Sequence, residues 1–134
     1  MKKKNKSYYV KKLDALWKTV GKENVVCEIC ATLPVNERVN YTQLQGHHII
    51  GRSHHATRWD LQNRLWVCSR HHTFGLWDET VQDNLGGWFL NWDSNNDWMG
   101  KHRPEDKEHL RKLHHDARNF TLAELEDLIN DFTN

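Results

Sequence analysis

Apolar residues near the N-terminus recur at intervals of three and four, which predicts a first helix over residues 8–20 with Gly21 at its C-terminal cap. The apolar stripe of this helix is expected to face the core. Residues 31–45 are polar and lack a regular pattern, so they are predicted to form a loop with one short strand around 39–44. The stripe consists of Tyr9, Leu13, Leu16, Trp17 and Val20.

The middle of the chain is predicted to fold as two strands followed by a helix. The first strand covers Gly46–Ile50 and leads into a wide loop over Gly51–Thr57. A second segment begins at Trp59 and ends in an apolar strand at Leu65–Val67. A helix is then expected to begin near Ser69. Together these elements form a β-β-α unit bracketed by cysteines.

The C-terminal part is predicted to be helical. One helix is expected over residues 79–92 and a loop over 94–100. Proline in the first turn, followed by acidic residues, predicts a helix over 104–118. A Thr-x-x-Glu capping box predicts a last helix over 121–132.

All three cysteines of this 134-residue chain lie in two short motifs, Cys27-x-x-Cys30 and Cys68-x-x-His71. Three cysteines cannot pair off as disulfides, and a CxxC with a later CxxH is typical of metal binding in a reducing compartment. The four side chains make a Cys3His set, the closed ligand shell that structural zinc prefers. Zinc binding would also add to the folding free energy of a small domain. The alternative is that the thiols are ordinary buried apolar side chains.

Four further residues form a separate, open set: His47, His48, Asn63 and His72. Phosphodiester hydrolysis needs a nucleophilic water, a cation that neutralises the phosphate, and a base that takes the proton of the water. His47 and His72 are predicted to hold a catalytic metal. His48, on the opposite face of the strand from His47, is predicted to be the base. Asn63 is predicted to orient the site by hydrogen-bonding either the hairpin backbone or the His48 imidazole.

The charge of the chain is divided unevenly, although the net charge is only +1. Residues 1–72 contain 13 Lys/Arg and 5 Asp/Glu, a balance of +8, whereas residues 73–134 contain 6 and 13, a balance of −7. A basic half of this kind indicates a polyanionic partner, and nucleic acid fits better than an anionic membrane. The predicted phosphate contacts are Arg52, Arg58, Lys2, Lys3 and Lys4.

These motifs resemble the HNH endonuclease family. The family pattern is a His in a strand, an Asn in the following loop and a His at the helix, which correspond to His48, Asn63 and His72. The residue before the first His is commonly a metal ligand in the family, and His47 matches it. In the zinc-bracketed branch the second motif is usually CxxC, so His71 is a departure. The resemblance covers residues 27–75 and is closest to small phage and prophage proteins, including recombination nucleases of the NinG-like kind.

The resemblance implies an α+β fold with a small ββα-metal core, the His-Me finger, and a zinc knuckle, flanked by an N-terminal helix and C-terminal helices. It implies a basic flexible lead-in over 1–7, a nuclease core over 8–76 and a helical extension over 77–134 that packs on the core as part of one domain. The expected activity is metal-dependent hydrolysis of DNA. The expected cofactors are a structural Zn²⁺ and a catalytic Mg²⁺, Mn²⁺, Ni²⁺ or Zn²⁺.

Two other functions are compatible with the same residues. One is a non-catalytic zinc-knuckle protein that binds nucleic acid, and the other is an adaptor whose acidic tail binds a protein partner or a second copy of the chain. The chain contains no apolar run of about 18 residues and no apolar segment at its N-terminus. We therefore expect a protein of the cytoplasm, in a bacterium or in a phage-infected host cell.

Overall fold

A two-stranded antiparallel ribbon lies at the centre of the computed structural model, which describes residues 4–38, 40–70 and 98–133. Strand β1 is Leu44–His48 and strand β2 is Arg64–Cys68. Leu44 lies opposite Cys68 and His48 opposite Arg64. A ribbon of two strands is marginal in water by itself, so it needs support from the elements around it.

Helices surround the ribbon, and within the described ranges none is both long and apolar enough to cross a bilayer. The elements outside the ribbon are α1 (Lys6–Thr19), α2 (Glu28–Ala31), a 3₁₀ turn (Val35–Glu37), α3 (His55–Arg58), a second 3₁₀ turn (Leu61–Asn63), α4 (Trp98–His102), α5 (Pro104–Leu113) and α6 (Leu122–Thr133). This arrangement is a mixed α+β fold, as predicted at that level.

The first helix forms where the apolar periodicity predicts it, with bounds displaced towards the N-terminus. Asn5 is its N-cap, since the Asn5 side chain accepts a hydrogen bond from the Tyr8 backbone N–H. The helix ends at Thr19, and Gly21 follows with a φ of 72°. Glycine adopts that left-handed conformation at no steric cost, which lets the chain turn away from the helix.

The prediction of the first strand is wrong by two residues at each end. The predicted strand Gly46–Ile50 is observed at Leu44–His48. Ile50 leaves the ladder because its backbone N–H donates to the Asn63 side chain rather than to a strand. The separate short strand predicted around 39–44 is not formed at the described residues, where β1 simply begins at Leu44.

The loop between the two strands is closed by the side chain of Asn63, which is completely buried. Its Oδ1 accepts from the Ile50 N–H at 2.7 Å, and its Nδ2 donates to the carbonyl oxygens of Ile50 and Thr57, both at 3.0 Å. The sequence predicted either the hairpin backbone or the His48 imidazole as the hydrogen-bond partner of Asn63. In the structure the partner is the hairpin backbone. One side chain thus ties together the two ends of the loop that carries Arg52 and leads to α3.

Two apolar cores flank the ribbon. The first lies between β1, β2, α2, α4 and α5, and its fully buried members include Ile29, Leu65 and Met99. The second packs α1 against α6 and contains Leu13, Trp17, Trp59, Leu125 and Ile129. The C-terminal helices therefore complete both cores.

The outer edge of β2 is covered by polar side chains from outside the ribbon. Arg103, just before α5, donates to the carbonyl oxygens of Arg64 at 2.9 Å and Gln62 at 3.0 Å. The Glu28 carboxylate accepts from the Trp66 N–H at 2.6 Å. These contacts satisfy backbone groups that an edge strand would otherwise expose, and they attach the tail to the ribbon.

Predictions for the tail have mixed outcomes. The loop predicted over 94–100 is wrong at its end, because Trp98 and Met99 are buried and begin α4. The helix predicted over 104–118 ends earlier, at Leu113. The last helix is confirmed, with Thr121 and Glu124 bonded reciprocally as a capping box. The helix predicted over 79–92 lies outside the described residues, and the one expected near Ser69 is described only at residues 69 and 70.

Replacing Asn63 with Ala should lower the free energy of unfolding by about 3 kcal/mol or more, because it leaves three buried backbone groups without their partner. Gln62→Ala is the matched control: it removes one exposed hydrogen bond, from Gln62 to Asp106, and should cost about 1 kcal/mol or less. Urea denaturation of both variants measures the difference. Equal losses would show that the Asn63 side chain does not hold the loop.

Candidate active site and metal centre

The three cysteines meet at one end of the ribbon. Cys27 is the N-cap of α2, Cys30 lies within α2, and Cys68 is the last residue of β2. All three are buried, their sulfur atoms lie within 4.8 Å of one another, and the Cys30 and Cys68 Sγ atoms are 4.0 Å apart. Burial raises the pKa of the Cys27 thiol to about 12.

This spacing fits a shared cation and not a disulfide. Zinc–sulfur bonds of about 2.3 Å in a tetrahedral site place the sulfurs about 3.8 Å apart, close to the observed separation. Among the residues that the structure describes, this is the only group of three or more His, Cys, Asp and Glu side chains compact enough to hold a metal. Three cysteines thus form a possible metal site, compatible with structural zinc. His71, the predicted fourth ligand, lies outside the described residues.

His48 lies at the other end of β1, in a half-buried position. Its ring stacks on the indole of Trp17, with centroids 3.6 Å apart and planes 8° from parallel. Its Nε2 lies 2.9 Å from the carbonyl oxygen of Arg58. A carbonyl oxygen only accepts, so Nε2 carries the ring proton and Nδ1 keeps its lone pair. Burial lowers the pKa of His48 to about 4, so the imidazole is neutral at pH 7.

The carbonyl that holds His48 is itself held by an ion pair. Arg58 donates to the Asp14 carboxylate through Nε at 3.1 Å and Nη2 at 2.8 Å, and the Trp59 indole N–H donates to the same carboxylate at 2.9 Å. Burial opposes ionisation of Asp14, but the hydrogen bonds from Arg58 and Trp59 outweigh it and lower the pKa of this carboxyl. The carboxylate therefore stays charged at neutral pH and fixes the end of α3 against α1.

His47 and His48 both line a cleft of about 730 Å³ between α1 and the loop after β1. Among the described residues of the lining, Lys18, Lys22 and Arg52 are basic and none is a carboxylate. A second cavity of about 400 Å³, beside α3 and α6, has three acidic residues in its wall: Asp60, Glu124 and Asp127. Of these two cavities, only the one at His48 offers a positive surface to an anion.

The predicted site residues have different outcomes. His47, His48 and Arg52 lie together in the cleft, whereas Asn63 is completely buried. Arg58 was predicted to contact phosphate, but its guanidinium is turned onto Asp14 and its side chain is only 17% exposed. Lys4 is exposed, with its Nζ 4.7 Å from the Tyr8 ring centroid. The catalytic-metal ligand His72 and the lysines Lys2 and Lys3 lie outside the described residues.

Sequence reasoning missed four residues of α1 and its end that shape this site: Asp14, Trp17, Lys18 and Lys22. Trp17 belongs to the apolar stripe of α1, and nothing in the sequence indicates that its ring also stacks on His48. Asp14 is the only acidic residue among positions 4–22, a signal that a specific cation pairs with it. No protein-family model, curated protein sequence or solved structure matches the chain.

Purified protein should contain about one tightly bound zinc per chain, and Cys27→Ser or Cys68→Ser should remove it and strongly lower stability, because zinc binding contributes to folding. Val67→Ala is the matched control, since it creates a cavity beside Cys68 in the same core without removing a ligand. It should be destabilised yet retain the zinc. Metal analysis combined with thermal unfolding tests this, and a stably folded wild-type protein without zinc would contradict it.

Proposed function

We propose that this chain is an HNH-type metal-dependent DNA endonuclease that hydrolyses phosphodiester bonds. The observation that carries the proposal is His48: a neutral imidazole, fixed in one tautomer, in the wall of a cleft lined by basic side chains. A general base needs a neutral imidazole with one nitrogen free to accept a proton, and basic side chains beside it attract the phosphate.

His48 acts as the general base in this proposal. Its Nε2–H is engaged by the Arg58 carbonyl, so Nδ1 is the nitrogen that accepts the proton of the attacking water. The imidazolium formed in this step keeps its hydrogen bond to the carbonyl, which stabilises the new charge. Stacking on Trp17 prevents the ring from turning away from the water.

Lys18, Lys22 and Arg52 bind the phosphate backbone of the DNA. Their positive charges attract the polyanion into the cleft and offset the charge that accumulates on the phosphate during attack. Arg52 is exposed, follows β1 by four residues and lines the same cleft as the base. Phosphate contacts of this kind position the scissile bond as well as bind it.

The proposal includes a divalent cation beside this base. The His47 imidazole lies in the wall of the same cleft, and imidazole is a good ligand for Zn²⁺, Ni²⁺ and other transition metals. His47 and His72 would hold the cation, which would supply Lewis acidity to the phosphate and to the leaving 3′ oxygen. His72 follows the end of β2 by four residues, and β2 pairs directly with the strand that carries His47.

Asp14 is a positioning residue for this chemistry. It does not touch the water or the phosphate in this proposal, but it holds Arg58, whose carbonyl orients His48. The same pairing accounts for Arg58 better than a direct phosphate contact does, because two of its three guanidinium nitrogens, Nε and Nη2, already donate to Asp14.

The alternative functions explain less of the site. A zinc-knuckle protein that only binds nucleic acid needs the basic cleft but has no need for an imidazole fixed by a carbonyl and a stacked indole. An adaptor that binds a protein partner through its acidic tail does not need the cleft at all. Binding of nucleic acid and binding of a protein partner are both compatible with a nuclease. In this proposal the nuclease acts in the cytoplasm of a bacterium or of a phage-infected cell, and its tail can bind a protein partner or a second copy of the chain.

His48→Ala should lower the rate of DNA cleavage by about 10²- to 10⁴-fold while leaving DNA affinity nearly unchanged, because the base acts only in the chemical step. His55→Ala is a matched control, since His55 lies in the wall of the acidic cavity and not in the basic cleft. Cleavage of labelled duplex DNA in Mg²⁺, Mn²⁺, Ni²⁺ or Zn²⁺ measures the rates. A His48→Ala protein that cleaves at the wild-type rate in each metal would rule out the proposal.

Asp14→Asn should lower kcat by about ten- to a hundredfold with little change in KM, because loosening Arg58 displaces the carbonyl that orients the base. Asp14→Glu, which keeps the charge, should recover part of the rate. Glu23→Gln removes an exposed acid near the end of the same helix and is expected to leave both parameters unchanged. Steady-state kinetics on all three variants is the measurement, and a change confined to KM would assign Asp14 to substrate binding instead.

A further inference from the structure

Helix α1 has a second face that extends beyond the site. Three exposed lysines of the helix lie on the side opposite Leu13 and Trp17, or at its edge, a fourth lysine precedes the N-cap Asn5, and a fifth follows the helix end. At 100° per residue, Lys11 and Lys18 fall within about 20° of each other, and Lys12 lies at the edge of the same face. Lys4 precedes the helix, and its Nζ lies 4.7 Å from the centroid of the Tyr8 ring, near which the Lys12 Nζ also lies. We call this surface the basic ridge; it consists of Lys4, Lys11, Lys12, Lys18 and Lys22.

The ridge is not neutralised from within the described part of the molecule. Asp14 is the only carboxylate among positions 4–22, and it is turned inwards onto Arg58. Of the ion pairs between described residues, one joins Asp14 to Arg58 and the others lie outside α1. None of them involves a lysine of the ridge. Five cations on one face repel one another unless an anion lies against them.

The ridge runs directly into the cleft of His48. Lys18 and Lys22 belong to both surfaces, since they line the cleft and end the ridge. The 14 residues of α1 span about 21 Å, which matches about six base pairs of duplex DNA at 3.4 Å per step. A backbone whose scissile phosphate lies at His48 would therefore meet Lys11, Lys12 and Lys4 as it continues along the helix.

We propose that the basic ridge binds the phosphate backbone of duplex DNA flanking the cleaved bond; this rests on the proposed nuclease function for the position of that bond. Duplex DNA suits the ridge better than a single strand, because single-strand surfaces use aromatic rings that stack on bases. The described residues of α1 expose only one aromatic side chain, Tyr8, so the ridge has no row of rings on which bases could stack. The Tyr8 ring also lies near the ammonium groups of Lys4 and Lys12.

The test uses the full-length, zinc-loaded His48→Ala protein, so that DNA is bound without being cleaved. Lys11→Gln/Lys12→Gln alters the part of the ridge that lies outside the cleft. Lys101→Gln/Lys112→Gln is the matched control, since both residues are exposed and remove the same charge from α4 and α5. Binding isotherms at several salt concentrations are recorded with a 30-base-pair duplex, with the same sequence as a single strand, and with vesicles containing phosphatidylserine.

The ridge variant should weaken duplex binding and lower the slope of log K against log salt by about 0.9 per lost phosphate contact, whereas the control should match the parent protein. Equal salt slopes for the ridge variant and the control would contradict the proposal that the ridge binds DNA. A loss of affinity confined to single-stranded DNA or to vesicles would contradict it as well. The nuclease proposal is judged separately, by cleavage with His48 intact. If the ridge variant binds DNA as the control does but the wild-type protein cleaves DNA, only the ridge proposal fails. If binding depends on the ridge but the wild-type protein cleaves no DNA, only the nuclease proposal fails.

Discussion

The hydrogen bonds of the Asn63 side chain are the constraint on which the rest of the structure depends. They connect Ile50 and Thr57 across the loop between the strands, inside a region with no access to water. Thr57 immediately precedes Arg58, whose carbonyl holds His48. A small ribbon with only two strands has no sheet around it to impose this geometry, so one fully satisfied amide does so instead.

Helix α1 couples the fold to the chemistry because its two faces perform different tasks. Its inner face brings Trp17 onto the His48 ring and Asp14 onto Arg58, and the Trp17 indole also donates to the Asp60 carbonyl at 3.0 Å. Its outer face presents lysines to solvent. Polar groups that have specific partners thus lie on the inner face, where a low dielectric strengthens their contacts. The lysine charges lie on the outer face, in contact with water.

The sequence predicted the helices with clear periodicity or caps, such as α6 with its capping box at Thr121, and it predicted that the cysteines would cluster. It failed where a contact distant in sequence decides the outcome. β1 ends at His48 because Asn63 takes the Ile50 N–H, and no local pattern shows that. Arg58 looked like a phosphate ligand because its partner Asp14 lies 44 residues away.

Cleavage of DNA by the wild-type protein tests the central claim most directly. Zinc-loaded protein would be incubated with supercoiled plasmid and with short duplex, branched and single-stranded DNA, in each of Mg²⁺, Mn²⁺, Ni²⁺ and Zn²⁺, with a chelator control. The account predicts metal-dependent strand breaks that leave 3′-hydroxyl and 5′-phosphate ends, because the water attacks phosphorus and the 3′ oxygen leaves. Intact DNA in every metal and every substrate form, from protein that is folded and binds DNA, would contradict it.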